Sequence, residues 1–195
     1  VSLTDADYKK EVTTILKNMD IVIVVVDVID FEGSFDAELI SLIKKKKVIL
    51  AVNKIDLVPG RKHPAEITNW LNGRLFLAGI TPADIVIMST KTKYGVNGVI
   101  RKLRYFLPKG GNVAVIGATN VGKSSLINGL FGKNTVTVSK YPGTTLKTVK
   151  FQLPKTQTFI HDTPGIIPKG RISDMVCESC NLKIVPSTEI SRKTF

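Results

Sequence analysis

Asn53-Lys54-Ile55-Asp56 lies well upstream of Gly117-Ala-Thr-Asn-Val-Gly122-Lys123-Ser124-Ser125, and the order of these two stretches decides how the chain is read. The second stretch fits GxxxxGK[ST]. Its glycines let backbone N–H groups turn inward around a phosphate with no Cβ in the way. Lys123 reaches the β- and γ-phosphates, the Ser124 hydroxyl ligates Mg²⁺, and the helix that starts here adds its N-terminal dipole. Asn120, Val121, Gly122, Lys123, Ser124 and Ser125 form the phosphate-binding set. An apolar strand over 112–116 precedes the loop and a helix over 123–131 follows, the setting such a loop requires. The motif implies a nucleoside triphosphate and leaves the base open.

Asn53-Lys54-Ile55-Asp56 selects the base. A carboxylate at Asp56 can accept from guanine N1–H and the exocyclic 2-amino group together. Adenine offers neither donor there, and a polar site left unpaired rejects the wrong base strongly. Asn53 is expected to hold the loop and the purine N7 edge, and the Lys54 stem to cover the ring. Ser89-Thr90-Lys91 ends a later strand and resembles the SAK element, whose backbone N–H contacts guanine O6. Asp162-Thr-Pro-Gly165 fits DxxG: Asp162 meets Mg²⁺ through water, and the Gly165 N–H senses the γ-phosphate. Upstream, Gly143-Thr144-Thr145 offers the threonine that completes the Mg²⁺ shell, with Thr145 preferred over Thr144. The expected metal set is therefore Ser124, Thr145 and Asp162. Release of γ-phosphate contacts on hydrolysis would free both segments, an order–disorder switch.

Where many GTPases carry a water-positioning Gln after DxxG, this chain has Ile166, and an aliphatic side chain cannot orient water. Lys123, Thr145, Gly165 and Asn120 remain as the catalytic candidates. Asn120 in the phosphate loop resembles the potassium-activated GTPases, in which it helps seat K⁺. Slow intrinsic turnover stimulated by K⁺ is the expectation.

Strands and helices alternate, which predicts an α/β fold with a mostly parallel sheet covered on both faces. The unbroken β-branched run Ile21–Val26 reads as a buried parallel strand. Helices are predicted over 5–19, 36–45, 64–78, 96–106 and 123–131, and strands over 21–26, 48–52, 85–88 and 112–116. Residues 147–153 and 158–161 read as a hairpin, 132–145 as a mobile loop, and 182–185 as a last short strand. The lysines at 44–47 read as a solvated helix end matching the negative helix terminus. No apolar run reaches the length of a membrane span, and no secretory signal is visible. The net charge of +12 favours a polyanionic partner, RNA or a ribonucleoprotein. Cys177 and Cys180 make a single CxxC, half a zinc site at most, so no zinc is expected. A P-loop kinase is disfavoured, because a kinase has no use for NKxD.

In an ordinary small GTPase the phosphate loop comes first and NKxD late. The reversed order predicts a doubly wound, Ras-like P-loop GTPase fold with circularly permuted topology. The motif series NKID, STK, GATNVGKSS, PGTT and DTPGI resembles the permuted GTPases tied to ribosome assembly, and within them the YqeH family. The carrying residues include Val26-Asp-Val-Ile-Asp-Phe-Glu-Gly-Ser34, Tyr141-Pro-Gly-Thr-Thr-Leu146, Asp162-Thr-Pro-Gly-Ile-Ile167 and Leu182-Lys-Ile-Val-Pro-Ser-Thr-Glu-Ile190. The resemblance implies a GTP/GDP-binding assembly factor that uses Mg²⁺, in the cytoplasm or an organellar matrix, with a ribosomal subunit or rRNA as partner and the small subunit favoured. A large-subunit task and a nucleotide-gated binding module with negligible hydrolysis are the alternatives. The expected layout is a GTPase domain over 1–170, with an NKxD half at 1–107 and a P-loop and switch half at 112–170, and an extension over 171–195. The family's four-cysteine zinc module precedes its GTPase domain, whereas Cys177 and Cys180 follow DTPGII. The chain does not begin with Met and reads as an isolated GTPase domain or a reduced homologue. Both switch segments fall in its last third, so an RNA-contacting region is expected just beyond them.

Overall fold

Strand β1 (Ile21–Asp27) is buried along its whole length. Successive side chains of a strand point to opposite faces, so one apolar run can serve two cores. Val22, Val24 and Val26 enter one core, and Ile21, Ile23 and Val25 enter the other. Each buried aliphatic side chain contributes about 2 kcal/mol. A sheet with two apolar faces needs helices on both, and the sequence supplies them.

The computed structural model describes residues 5–58, 64–131, 137–140, 147–166, 176–177 and 179–180. Helices α1 (Asp5–Lys17), α2 (Phe31–Ser34), α3 (Ala37–Ile43) and α4 (Pro64–Leu77) lie in the first part of the chain, followed by α5 (Val96–Phe106) and α6 (Lys123–Phe131). The other strands are β2 (Val48–Asn53), β3 (Asp84–Ile87), β4 (Gly111–Ile116), β5 (Thr137–Lys140), β6 (Lys147–Gln152) and β7 (Thr158–Asp162). Val12, Ile15 and Leu16 of α1, Leu39 and Ile43 of α3, and Leu71 and Leu75 of α4 pack into the first core. Val99 and Leu103 of α5 and Leu126, Ile127 and Leu130 of α6 pack into the second. Helix α3 is shorter than predicted, because Asp36 caps it by accepting from the Leu39 N–H at 2.8 Å and its C-cap falls at Lys44.

The sheet runs β3-β2-β1-β4-β7-β6-β5. Pairings β2·β3, β1·β2, β1·β4 and β4·β7 are parallel. Pairings β6·β7 and β5·β6 are antiparallel. Phosphate-loop strand β4 sits in the middle of the sheet although it is fourth along the chain. That is the predicted doubly wound fold with permuted connections. Within 132–145 the structure differs from the predicted loop: β5 occupies 137–140 and pairs with β6 in register Thr137↔Lys150 to Lys140↔Lys147. Its four residues carry too short a pattern to be read alone; backbone hydrogen bonds from the exposed edge of β6 make it a strand. The predicted strand over 182–185 lies outside the described residues.

Candidate nucleotide site

The parallel strands bring four motif segments to one edge of the sheet. The NKID segment leaves β2, STK follows β3, the phosphate loop leaves β4, and DTPG leaves β7. Ligands of doubly wound sheets bind outside these carboxyl ends.

Asn53 ties three of these segments together. It is 1% exposed. Its Nδ2 donates to Val121 O at 2.8 Å and to Thr90 Oγ1 at 3.3 Å. Its Oδ1 accepts from the Thr90 N–H at 3.0 Å. Gly122 makes the approach feasible: its φ is +99°, and a Cβ there would lie 2.3 Å from Asn53 Nδ2. The expectation that Asn53 holds the loop therefore has a geometric basis, with the STK turn as an added partner.

Lys54 takes a left-handed backbone, φ 68°, which costs a non-glycine residue about 1 kcal/mol or more. Its ammonium pairs with the buried Asp27 carboxylate. Asp27 faces Asn53 in the β1–β2 register, so the residue after Asn53 arrives beside it. Asp27 Oδ1 also accepts from the Ile29 N–H at 3.0 Å, and its own N–H donates to Ser34 Oγ at 3.0 Å. Asp27 and Ser34 were legible only as part of the VDxxDFxGS signature; the pairing with Lys54 requires the strand register. Asp56 lies half-buried in the 3-10 turn Ile55–Leu57, which the Ile55 N–H anchors to Met88 O at 3.2 Å. Ser89 is fully buried, and its Oγ accepts from the Thr92 N–H at 3.1 Å. Lys91 is exposed at the same turn.

In the phosphate loop Asn120 is exposed with φ 62°. Val121 is buried in the second core and offers only its backbone. Ser124 and Ser125 are exposed on the first turn of α6. Lys123 is 8% exposed, and its Nζ donates to Gly117 O at 3.0 Å and Ala118 O at 2.8 Å. Burial pushes its ammonium below the ordinary lysine value, and the nearby Asp162 carboxylate pulls it back up. A Cβ on Gly165 would meet Lys123 Nζ at 2.9 Å and Thr119 Cα at 3.3 Å, so a larger residue there would press on both the lysine and the phosphate loop. Thr144 and Thr145 lie outside the described residues.

Ile166 is not a side chain facing the phosphates. It is 4% exposed in the first core. Its N–H donates to Gly117 O at 3.1 Å, and its carbonyl accepts from the Thr119 N–H at 2.9 Å. These bonds extend the sheet as a parallel bridge between Ala118 and Ile166. An apolar residue here thus staples the DxxG segment to the phosphate loop.

The Asp162 Oδ1 is buried and has no hydrogen-bond partner. Burial raises this carboxyl above the usual carboxylate range, with the Lys123 ammonium opposing. An unpaired buried carboxylate oxygen beside the Ser124 hydroxyl's helix fits a cation or its bound water. With the native value raised, ionisation of Asp162 costs the fold. The group's contribution to stability is fully present below the unfolded value and is lost as pH rises through the native one. Asp162→Asn is therefore expected to raise the Tm of the nucleotide-free domain at neutral pH. The same variant should lose Mg²⁺-dependent nucleotide affinity. Thermal melts at pH 7 with and without Mg²⁺–GTP check both halves; a lower Tm without ligand would contradict the burial argument.

Cys177 and Cys180 are free and exposed. A hydrogen bond from Ser179, with others from Cys180, lowers the Cys177 thiol to about 7. Among the described residues no group of three His, Cys, Asp or Glu could hold a metal ion.

Residues 5–109 match the family described as the elongation factor Tu GTP binding domain. Residues 112–186 match the family described as 50S ribosome-binding GTPase. The chain is similar to the uncharacterized protein YqeH of Bacillus subtilis (strain 168), 31% identical over 201 residues, which take in 100% of this chain and 54% of that protein. It thus spans about half the length of that relative. Among solved structures it resembles YjeQ from Thermotoga maritima, with 26% identity and a TM-score of 0.52 over 77% of this chain and 49% of that one. It also resembles GDP-bound YlqF, with 19% identity and a TM-score of 0.52 over 84% and 61%, a likeness of fold alone.

Proposed function

This chain belongs to the circularly permuted P-loop GTPases of the YqeH family, and we propose that it binds and hydrolyses GTP as a nucleotide-dependent switch in ribosome assembly, on the small subunit. The observation that carries the nucleotide part is the Asn53 clasp, which joins the base-reading, STK and phosphate-binding segments at one sheet edge. In this reading Asp56 accepts from the guanine edge and the Lys54 stem, steered by Asp27, covers the ring. Lys123 exchanges its two loop carbonyls for phosphate oxygens. Ser124, Asp162 and Thr145 are the residues that would hold Mg²⁺, which when bound would neutralise phosphate charge. Gly165 senses the γ-phosphate through its N–H. The ribosomal part draws on the YqeH resemblance and the net charge of +12. The location proposed with it is the cytoplasm or an organellar matrix. No described helix is long and apolar enough to cross a membrane.

Two observations keep other readings in the test. Ile166 is committed to the core and cannot orient water, which favours very slow hydrolysis or a nucleotide-gated binding module. The match of 112–186 to a family described by 50S binding favours the large subunit. The deciding experiment is sedimentation with purified small and large subunits in GDP and in a non-hydrolysable GTP analogue. Nucleotide-dependent association with small subunits is the expected result; association with neither subunit in either state would sink the ribosomal reading.

Asn120, exposed and left-handed in the phosphate loop, is the proposed K⁺ contact. GTP turnover is expected to be at least tenfold faster in KCl than in NaCl, about 1.4 kcal/mol off the barrier. Asn120→Ala should abolish that difference. Equal wild-type rates in the two salts would remove K⁺ from the mechanism.

A further inference from the structure

The pole of the sheet opposite the nucleotide site concentrates positive charge from segments far apart in the sequence. Four adjacent parallel strands, β2, β1, β4 and β7, begin there. Lys44, Lys45 and Lys47 stand in the segment entering β2, Lys109 in the turn entering β4, and Lys155 in the turn entering β7; all are exposed. Arg104, in the last turn of α5, is exposed beside them. Two contacts join these segments. Lys47 Nζ sits 4.3 Å from the Phe106 ring centroid, and the Gly111 N–H donates to Gln157 O at 3.1 Å.

Acidic groups at this pole are few and engaged. Asp20 accepts from the Asn112 N–H at 2.7 Å, and Asp84 pairs with Lys102. Lys46 is drawn in, donating to Leu16 O. Complementing helix ends explains Lys44 and Arg104. It does not explain Lys155, which lies in a hairpin turn between β6 and β7. Nor does it explain Tyr105, 76% exposed among these cations and edge-on to Phe106 at 5.1 Å.

We infer that this pole is a docking surface for the RNA backbone, with Tyr105 as a stacking platform for a base. The inference rests on the ribosomal reading for its biological setting only. Four strands at about 4.8 Å spacing make the basic strip about 15 Å wide, enough for several consecutive phosphates. Cations tracking a backbone beside an exposed ring are the working parts of a single-strand site. An anionic membrane is the competing partner, because Phe76 and Leu77 are 83% and 76% exposed at the end of α4. Those two stand at the β3 edge, three strands from the β4 turn that carries Lys109 and four from the β7 turn that carries Lys155, and the segment 78–83 that follows them carries no charge, so the apolar pair lies off the centre of the cationic strip.

The test is fluorescence anisotropy of the 195-residue chain with a labelled, mixed-sequence single-stranded RNA of about 16 nucleotides, over a salt series. Lys45→Gln/Lys47→Gln/Lys109→Gln is expected to weaken RNA binding about tenfold and to reduce the salt slope by about 2, at roughly 0.7 per phosphate contact. Tyr105→Ala should weaken binding about fivefold with the slope unchanged. Guanine nucleotide affinity should stay constant in both. RNA affinity and slope unaltered in the triple variant would overturn the inference, as would tighter binding to phosphatidylglycerol vesicles than to RNA. Subunit sedimentation separates the two proposals. Nucleotide-dependent pelleting that the triple variant retains in full overturns the RNA pole and leaves the ribosomal role standing. Pole-dependent RNA binding without pelleting on either subunit overturns the ribosomal role and leaves the pole.

Discussion

Asp56→Ala is expected to lower GTP affinity by about a thousandfold or more while leaving ATP affinity nearly unchanged. The reason is one of pairing. A half-buried carboxylate that accepts from N1–H and the 2-amino group together gains two charge-assisted hydrogen bonds with guanine and none with adenine. Asp56 is well placed for this role. Its 3-10 turn is anchored at one end by the Ile55 N–H on Met88 O and at the other by the buried Leu57. Alanine leaves the turn in place, so phosphate binding by Lys123 and the loop amides should survive. Competition of GTP and ATP against a fluorescent guanine nucleotide reads the selectivity directly. Wild-type protein that binds ATP as tightly as GTP would contradict the assignment of the base.

Asn53→Ala should act more broadly. The substitution strips Thr90 N–H and Val121 O of their partner where Asn53 itself is 1% exposed. Each buried polar group left unpaired costs about 1–3 kcal/mol, so a loss of about 3 kcal/mol and roughly 10 °C in Tm is expected. Nucleotide affinity should fall about a hundredfold, because the base-reading and phosphate-binding segments lose their common anchor. Gly122→Ala attacks the same contact from the other side, since its Cβ would intrude on Asn53 Nδ2 and its backbone requires positive φ. The double variant is expected to be little worse than the more damaging single one, a non-additivity reserved for residues sharing one contact. Full additivity would show that the two residues act separately.

The motifs were legible because their chemistry is local. A GxxxxGK[ST] loop needs its glycines, lysine and hydroxyl within eight consecutive residues, and a buried parallel strand announces itself in an unbroken run such as Ile21–Val26. Helix α5 was read to its observed ends from the spacing of Val99, Leu103 and Phe106. Strand β5 was not legible, since four edge residues take their conformation from β6. Ile166 was read as a missing catalytic group. Its burial makes it a structural residue, a fact that depends on the neighbouring strands and not on its sequence context.

By itself, the sequence determined that this chain is a P-loop GTPase domain, because that family's motifs are written in side-chain types at short spacing. The order of NKID and GATNVGKSS also determined the permuted connections. Only the tertiary structure decided that Asn53 clasps Val121 and Thr90, that Asp27 steers Lys54, and that Lys47, Lys109 and Lys155 share one pole. Each of these joins residues tens of positions apart, and parallel pairing brings such residues together. The registers of β2 on β3, of β1 on β2 and β4, and of β4 on β7 set those distances, and no local pattern encodes a register between strands far apart in the chain.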